Sequence, residues 1–342
     1  MKYTVTFIMN PISGTASKAG IPEIIDKYLD HNKFTYNIAF TRFAGHGAQL
    51  AREAAEAGVD IVVAVGGDGT VNEVARSIVH TNTALGILPC GSGNGLARHL
   101  LLPMNLRKAV EVLNECQIHS LDYGIINGYP FFCTCGMGFD AQVSMKFAES
   151  GKRGPITYVE NVLKEALKYQ PETYEIRNEE GVTIEKAFLI SCANASQYGN
   201  NAYIAPQASM SDGLLDVVIM EPFDVIEAPQ LSIDMFNKTL NKNSKIKCFR
   251  SKHLFIHRQK PGVIHFDGDP VMSGEDVEIK LQEKGIKIVV NPFADKSLRK
   301  PNALQNATAN LFNEINIVRS DLSRQSHKVQ VLSKVLQRKL NL

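Results

Sequence analysis

The feature that most constrains this chain is a glycine-rich turn, Gly66-Gly67-Asp68-Gly69-Thr70, set between two contrasting segments. Residues 60–65 before it carry a run of apolar, mostly β-branched side chains, which predicts a central strand covered on both faces. Residues 71–79 after it have the periodicity of a helix. Glycines let backbone N–H groups approach an anion closely, and the helix adds the positive end of its dipole. The segment therefore predicts a strand, a turn and a helix that together bind phosphate.

Asp68 adds a second constraint to this turn. A carboxylate held among phosphate-binding glycines would repel the phosphate unless a cation intervenes, so the sequence suggests Mg²⁺ bound together with a nucleotide. A plain strand-to-helix turn, in which Asp68 or Thr70 caps the helix, is the alternative that these residues leave open.

Two further loops follow predicted strands in the same way. Pro89-Cys90-Gly91-Ser92-Gly93-Asn94-Gly95 lies between a strand at 84–88 and a helix at 96–101, and Asn10-Pro11-Ile12-Ser13-Gly14 follows the first strand. The carboxyl ends of neighbouring parallel strands frame the crevice where open α/β sheets bind ligands. The spacing matches neither a Walker-type GK[ST] loop nor a dinucleotide GxGxxG. The three loops therefore predict a nucleotide cleft of another type.

The first 115 or so residues alternate between strand and helix patterns. Strands are predicted at 3–9, 34–40, 60–65 and 84–88, and helices at 21–29, 48–57, 71–79 and 106–114. Such alternation is typical of a parallel sheet with right-handed crossovers.

From about residue 118 the pattern changes to short strands separated by turn-forming pairs such as Lys284-Gly285. Helices are predicted at 156–168 and 223–240, and residues 277–281 and 286–290 are predicted to form a hairpin. We expect this half to be an antiparallel sandwich or meander.

With 342 residues the chain exceeds what one hydrophobic core usually serves. We expect a nucleotide-binding α/β domain at 1–120, a β-rich substrate domain at 121–293, and a linker with a basic amphipathic helix at 294–342. That last helix could dock on the protein itself or lie on an anionic membrane surface, and the sequence leaves both open.

Charge and cysteine content narrow the classes of partner and compartment. The net charge of +2 does not argue for nucleic acid. None of the six cysteines forms a C-x-x-C pair, and no Cys/His spacing fits a zinc site. No apolar stretch reaches the length of a membrane-spanning helix or a signal peptide. We therefore expect a reduced, cytoplasmic protein.

The sequence resembles a known family, the diacylglycerol kinase and sphingosine kinase-like lipid kinases of the bacterial type. The resemblance covers about residues 1–293 and rests on seven elements whose order and spacing agree. They are Asn10-Pro11-x-Ser13-Gly14, the turn at 66–70 with Val71-Asn72-Glu73-Val74, the loop at 89–98, Gly136-Met137-Gly138-Phe139-Asp140, Ile204-Ala205-Pro206, Asp212-Gly213-Leu214-Leu215-Asp216 and Asp267-Gly268-Asp269.

The resemblance implies a fold and a set of site residues. The fold is an N-terminal Rossmann-like parallel sheet domain, of the NAD kinase and diacylglycerol kinase type, followed by a C-terminal antiparallel β-sandwich. Residues implied to hold ATP are Asn10, Pro11, Ser13, Gly14, Thr41, Gly66, Gly67, Asp68, Gly69, Thr70, Asn72, Glu73, Gly91, Ser92 and Asn94. Ser209, Asp212 and Leu214 are implied to hold a structural Mg²⁺.

Asp267-Gly268-Asp269 stands where the family usually has D-G-E, whose carboxylates support activation of the lipid hydroxyl. Asp269 is one methylene shorter than that glutamate, so Asp267, Asp269 and Asp68 all stay candidates for the catalytic carboxylate. Asp140 also matches an acidic residue of the family. The sequence leaves open whether Asp140 has a functional role or simply caps or turns the chain.

The activity implied is ATP-dependent transfer of phosphate to the hydroxyl of a lipid, with diacylglycerol, a sphingoid base and phosphatidylglycerol all open as acceptors. The implied setting is peripheral association with a membrane surface, and an edge strand of the second domain could pair two subunits as a homodimer. Two alternatives are an NAD kinase-like small-molecule kinase and a catalytically weak lipid-binding regulatory protein, the latter suggested by Asp269.

Overall fold

The computed structural model describes residues 2–11, 20–150, 169–224 and 226–295, together with 297, 300–301, 304–307 and 309–310. Some predictions fall outside the described residues: Ser13, Gly14, the helix predicted at 156–168 and the basic C-terminal helix, which is predicted at 319–342. Within the described part, no helix is both long and apolar enough to span a bilayer.

The N-terminal half is a parallel sheet with helices on both faces. Its strands are β1 (Tyr3–Met9), β2 (Phe34–Phe40), β3 (Ile61–Gly66) and β4 (Ala84–Pro89), hydrogen-bonded in the order β2-β1-β3-β4. Its helices are α1 (Ile21–Tyr28), α2 (His46–Glu56), α3 (Asp68–Ile78), α4 (Gly95–His99) and α5 (Leu106–Glu115). Every residue of β3 and β4 is buried, as the unbroken apolar run of 61–65 predicted.

Two apolar layers enclose this sheet. The side chains of α1 and α5 pack on one face around Phe7, Ile25 and Val110. Those of α2 and α3 pack on the other face around Ile8, Ala51 and Val74. Helices cover both faces of the sheet, so the loops that could bind a ligand lie at the carboxyl ends of its strands. This end of the sheet is called the open edge below.

The second half contributes the remaining strands and helices. The strands are β5 (Ile118–Ile126), β6 (Tyr129–Phe131), β7 (Thr134–Gly138), β8 (Glu172–Asn178), β9 (Gly181–Ala187), β10 (Leu189–Ala193), β11 (Leu215–Met220), β12 (Ile246–Ser251), β13 (His253–Arg258), β14 (Gly262–Phe266), β15 (Asp269–Ser273) and β16 (Asp276–Val289). The helices are α6 (Phe139–Ser150) and α7 (Ala228–Phe236), followed by a 3₁₀ turn at Leu240–Lys242.

These strands form two facing sheets. One sheet orders β12-β11-β10-β7-β14-β15, and the other continues from β4 through β16-β13-β8-β9, with β5 paired to β16. Side chains such as Met137, Ile190, Leu254 and Ile279 interlock between them as one buried core. The prediction of an α/β domain followed by an antiparallel sandwich is thus confirmed.

The hairpin predicted from residues 277–281 and 286–290 is wrong. Both segments belong to the single strand β16, which pairs with β5 along its length and has a register shift between Gln282 and Ile286. Lys284 has a left-handed φ of 52°, and its N–H donates to Asp122 at 2.8 Å. Because Asp122 captures that N–H, the turn-forming pair makes a bulge and the strand continues to pair in parallel with β4.

The helix predicted at 223–240 is shorter than expected. It begins next to Pro229, which favours the first helical turn, and ends at Phe236. Lys238 then takes a left-handed φ of 64°, which a continuing helix does not allow.

Candidate active site

The first glycine-rich turn forms a tight strand-to-helix connection. Strand β3 ends at Gly66, Gly67 is extended, and α3 begins at Asp68. A side chain at Gly66 would meet Thr70 at 2.5 Å, so only glycine fits the turn. The turn therefore presents the N-terminus of α3 at the open edge of the sheet, as the sequence predicted.

Asp68 joins this turn to the second glycine-rich loop. Its two carboxylate oxygens accept the backbone N–H groups of Asn94 at 2.8 Å and Gly95 at 2.6 Å. Burial raises the pKa of the Asp68 carboxyl above its ordinary value, while the N–H groups of Gly95 and Asn94 and the charge of Arg98 oppose that rise. In this structure Asp68 acts as a brace between loops, and its predicted roles in catalysis and metal binding stay predictions.

The two loops touch backbone to backbone. A Cβ added at Gly91 would lie 2.5 Å from the Cα of Gly67. Asn94 has a left-handed φ of 52°, and its side chain both accepts from the Gly91 N–H at 2.9 Å and donates to the Gly91 carbonyl at 2.7 Å. Hydrogen bonds within the loop thus fix its conformation. At position 91 the close approach of Gly67 leaves room only for glycine.

The other predicted nucleotide residues that the structure describes surround the same edge. Thr41 follows β2 and donates its N–H to the carbonyl of Met9 at 2.9 Å. Asn10 and Pro11 follow β1, and the Asn10 N–H reaches the carbonyl of Val65 at 3.4 Å. The ends of β1, β2 and β3 therefore lie side by side.

Glu73 lies one turn into α3 and faces α2. One of its carboxylate oxygens accepts the N–H of Gly45 at 3.1 Å, and a side chain at Gly47 would lie 2.7 Å from the other. Gly45 has a left-handed φ of 83°, which exposes its N–H to Glu73. The start of α2 is thus fixed against α3 beside the open edge.

Asp267 links the second half of the chain to α3. Its carboxylate accepts backbone N–H groups of Phe132 at 2.8 Å, Cys133 at 2.7 Å and Thr134 at 3.1 Å, and the side-chain amide of Asn72 at 2.8 Å. A carboxylate has about four lone-pair positions, so these four donors use them all. Burial raises the pKa of Asp267 in spite of these donors, which act to lower it.

Asp269, two residues further on, is in a different environment. Its side chain is exposed, yet enough protein surrounds the carboxylate for burial to raise its pKa. The charge of Arg76 opposes that rise, Glu73 adds to it, and His265 opposes it. Asp269 therefore lies near the charged side chains of Glu73 and Arg76 on α3, and the space between them is referred to below as the cleft.

Sequence reasoning did not single out Arg76. It follows Asn72 by four residues and Glu73 by three, so its side chain lies between theirs on the surface of α3. This part of α3 lies near the Asp267–Asp269 turn as well as near α2, since Asn72 bonds Asp267 and the charges of Glu73 and Arg76 act on Asp269. The helical spacing was the available signal, but the strand that α3 faces could not be known from it.

The predicted metal residues lie apart from this cleft, on the loop before β11. Asp212 accepts the Leu214 N–H at 3.3 Å and lies 3.5 Å from the guanidinium of Arg250, and Ser209 contacts Ser211 at 3.2 Å. The part of the chain that the structure describes holds no cluster of three or more His, Cys, Asp or Glu side chains placed for a metal. The oxygen donors are of the type that Mg²⁺ prefers, but the one carboxylate among the three predicted residues, that of Asp212, already pairs with Arg250.

Comparisons with known proteins match two family models to successive parts of the chain. Residues 4–126 match the family described as diacylglycerol kinase catalytic domain, and residues 133–310 match the YegS C-terminal NAD kinase beta sandwich-like domain. A protein of Chromohalobacter salexigens described as "Probable lipid kinase YegS-like" is 32% identical over 232 residues, which cover 66% of this chain and 75% of that protein. An Escherichia coli protein described as "Probable lipid kinase YegS" is 27% identical over 271 residues, 77% of this chain and 89% of that one.

Solved structures share the fold at lower sequence identity. A diacylglycerol kinase structure from Bacillus anthracis superposes with a TM-score of 0.67 and 19% identity, covering 85% of this chain and 97% of that one. A second chain from the same organism gives a TM-score of 0.70 at 22% identity, over 86% of this chain and 99% of that one.

Proposed function

This chain belongs to the YegS-like lipid kinases, which carry a diacylglycerol kinase catalytic domain, and from that premise we propose that it transfers the γ-phosphate of ATP to the hydroxyl of a membrane lipid. One observation carries the proposal. The Asn72 amide, on the helix that begins at the first glycine turn, donates to Asp267 at 2.8 Å across 195 residues of sequence. This bond brings the acidic turn of the second half next to the helix that follows the first glycine turn, which supports a shared site.

The described residues suit a nucleotide. Glycine turns in backbone contact and the N-terminus of α3 offer N–H groups to an anion. The side-chain oxygen of Asn72 is buried and accepts no hydrogen bond from the described residues, so it is available to a ligand hydroxyl or water. ATP, when bound, supplies the phosphoryl group. Phosphoryl transfer then depends mainly on positioning and charge neutralisation.

Asp269 is the carboxylate that we assign to the acceptor hydroxyl. All lone pairs of Asp267 are taken by four N–H donors, and both oxygens of Asp68 accept backbone N–H groups. Asp269 is exposed to the cleft, and burial brings its raised pKa closer to the neutral range, where a general base is most effective. Its role is to orient the lipid hydroxyl and take up its proton.

Two parts of the proposal extend beyond this cleft. Mg²⁺ is the expected partner of the nucleotide phosphates, and Ser209, Asp212 and Leu214 would hold a second, structural ion only if Arg250 moved from Asp212. The lipid is met at the bilayer surface, so we propose peripheral membrane association, to which the basic residues within 319–342 would contribute.

The test is transfer of radiolabelled phosphate from ATP to a panel of acceptors presented in detergent micelles. Diacylglycerol, sphingosine and phosphatidylglycerol are the lipid acceptors, NAD is the soluble comparison, and products are identified by chromatographic mobility. We expect one lipid class to be labelled in a Mg²⁺-dependent reaction, and Asp269→Asn to remove that label. Labelling of NAD alone would favour the small-molecule kinase, and ATP-independent lipid binding without any transfer would favour the regulatory protein.

A further inference from the structure

Behind the Asp267–Asp269 turn lies a buried polar pair that the proposed function does not use. His265 on β14 and Asp140 in the first turn of α6 have side chains only 3% and 9% exposed, and their Nε2 and Oδ2 atoms are 3.0 Å apart. Buried polar groups of this kind are costly unless they are hydrogen-bonded. Here each member is satisfied by the other and by neighbouring groups.

Two glycines make room for the pair. A Cβ at Gly136 would lie 2.5 Å from Asp140 Oδ2 and 3.1 Å from His265 Nε2. Gly138 has a left-handed φ of 90°, and a Cβ there would lie 2.8 Å from the carbonyl of Phe188. Gly138 thereby allows the sharp entry into α6 that places Asp140 in its first turn, where a carboxylate also favours the helix dipole.

His265 connects the pair to the acidic turn. Its Nδ1 accepts the N–H of Gly268 at 3.4 Å, which leaves Nε2 as the ring nitrogen that donates to Asp140. Asp267 and Gly268 have successive left-handed φ values of 50° and 89°. This is the type I′ conformation that an Asp-Gly pair favours between two hairpin strands. The ring of His265 adds to it by accepting the N–H of Gly268, directly before Asp269.

Asp140 is also tied to the second glycine-rich loop. The hydroxyl of Tyr198 donates to Asp140 Oδ2 at 3.2 Å. The next residues close on that loop, since a Cβ at Gly199 would lie 2.9 Å from the Cα of Gly93 and the Asn200 N–H donates to the Gly93 carbonyl at 2.9 Å. One carboxylate thus receives hydrogen bonds from His265, next to the acidic turn, and from Tyr198, next to the second glycine-rich loop.

We propose that His265, held by Asp140, is a positioning residue that fixes the Gly268–Asp269 bend and so directs the Asp269 carboxylate at the acceptor hydroxyl. The inference rests on the proposed lipid kinase function. His265 is too buried to touch the acceptor itself, so it acts through the turn. Its removal is expected to lower the rate of transfer while leaving the nucleotide loops, and hence ATP binding, unchanged.

The experiment compares steady-state kinetics and melting temperatures of His265→Ala, His265→Asn and the control Ile264→Val. Ile264 is the neighbouring residue on β14, is fully buried, and faces the core between the sheets. For His265→Ala we expect kcat to fall by about 10- to 100-fold, since misplacing a reacting group by about 1 Å can cost a factor of about 100. The KM for ATP is expected to stay close to the wild-type value.

His265→Asn restores an oxygen acceptor near the position of Nδ1, and it is expected to recover part of kcat. Asp140→Asn keeps the shape of its residue and is expected to lower kcat less than His265→Ala does, which provides a second variant if alanine prevents folding. Ile264→Val is expected to lower the melting temperature without lowering kcat.

Three results would overturn the inference alone. They are wild-type kcat in His265→Ala, no recovery of kcat in His265→Asn, or a fall in kcat for Ile264→Val as large as that for His265→Ala at the same loss of melting temperature. If the wild-type protein transfers phosphate to no lipid at all, the proposed function itself is overturned, and the positioning role is overturned with it.

Discussion

Replacing Asp267 or Asp269 with asparagine tests two neighbouring carboxylates that have very different surroundings. Asp267 accepts four N–H groups and connects β14 to Asn72 of α3, whereas Asp269 is exposed to the cleft. Asparagine keeps the shape of either residue but offers one acceptor oxygen in place of two. The two variants are therefore matched controls for each other.

The expected effect on stability follows from the donors. In Asp267→Asn two of the four N–H groups lose their acceptor and face an NH₂ group, each at a cost of about 1–3 kcal/mol, or about 2–6 kcal/mol together. The burial that raises the pKa of Asp267 shows that the carboxylate is poorly solvated, and its removal offsets part of this cost. We therefore expect a loss of about 2–4 kcal/mol. Asp269→Asn lies at an exposed position and should change stability by less than about 0.5 kcal/mol.

The expected effect on activity is the reverse. Loss of a general base typically costs about 10²- to 10⁴-fold in rate, so Asp269→Asn should nearly abolish lipid phosphorylation. Asp267→Asn, under conditions where it stays folded, should lower kcat by only about tenfold, because it loosens the turn but leaves Asp269 in place. Urea unfolding followed by circular dichroism measures the first quantity and the labelled-lipid assay the second. Wild-type stability in Asp267→Asn, or wild-type kcat in Asp269→Asn, would refute the assignment of the two carboxylates.

Three further predictions concern the same cleft. Arg76→Gln removes the charge that lowers the pKa of Asp269, so the acid limb of the pH–kcat profile should move to higher pH; an unchanged limb would contradict the role of either residue. Asn72→Ala loses its hydrogen bond to the acidic turn, so kcat measured by steady-state kinetics should fall by about tenfold. The variant also removes a buried oxygen that has no partner among the described residues, so the free energy of unfolding measured in urea should change by only about 1 kcal/mol. Gly91→Ala places a Cβ 2.5 Å from the Cα of Gly67, so the loops must separate and the KM for ATP should rise; an unaltered KM would show that the loops do not need this contact.

Much of the nucleotide half could be predicted because its signals are local. The turn from β3 to α3 is encoded within residues 60–79, where an apolar run, three glycines and a helical repeat follow one another. The contact between the glycine-rich loops at 66–70 and 89–95, and the position of Asn10 next to the end of β3, follow from the rule that parallel strands place their carboxyl ends together. The same reasoning failed for Lys284-Gly285, because the residue that decides its conformation, Asp122, lies 162 positions away.

The carboxylate that we propose as the general base could not be chosen from sequence for the same reason. Asp68, Asp267 and Asp269 are equivalent as letters, and only their partners distinguish them. Asp267 accepts four N–H groups, with Asn72, 195 residues away, among the donors, and each oxygen of Asp68 accepts one. The support that His265 gives to the turn likewise depends on Asp140, from which 125 residues separate it.

The sequence by itself determined the class of fold, the nucleotide loops and the presence of an acidic turn, since apolar periodicity and glycine placement act over a few neighbouring residues. Only the tertiary structure decided which carboxylate is left open to the cleft and which ones brace it. A hydrogen bond depends on distances of about 3 Å between atoms, and the chain brings such atoms together only after its two halves have packed.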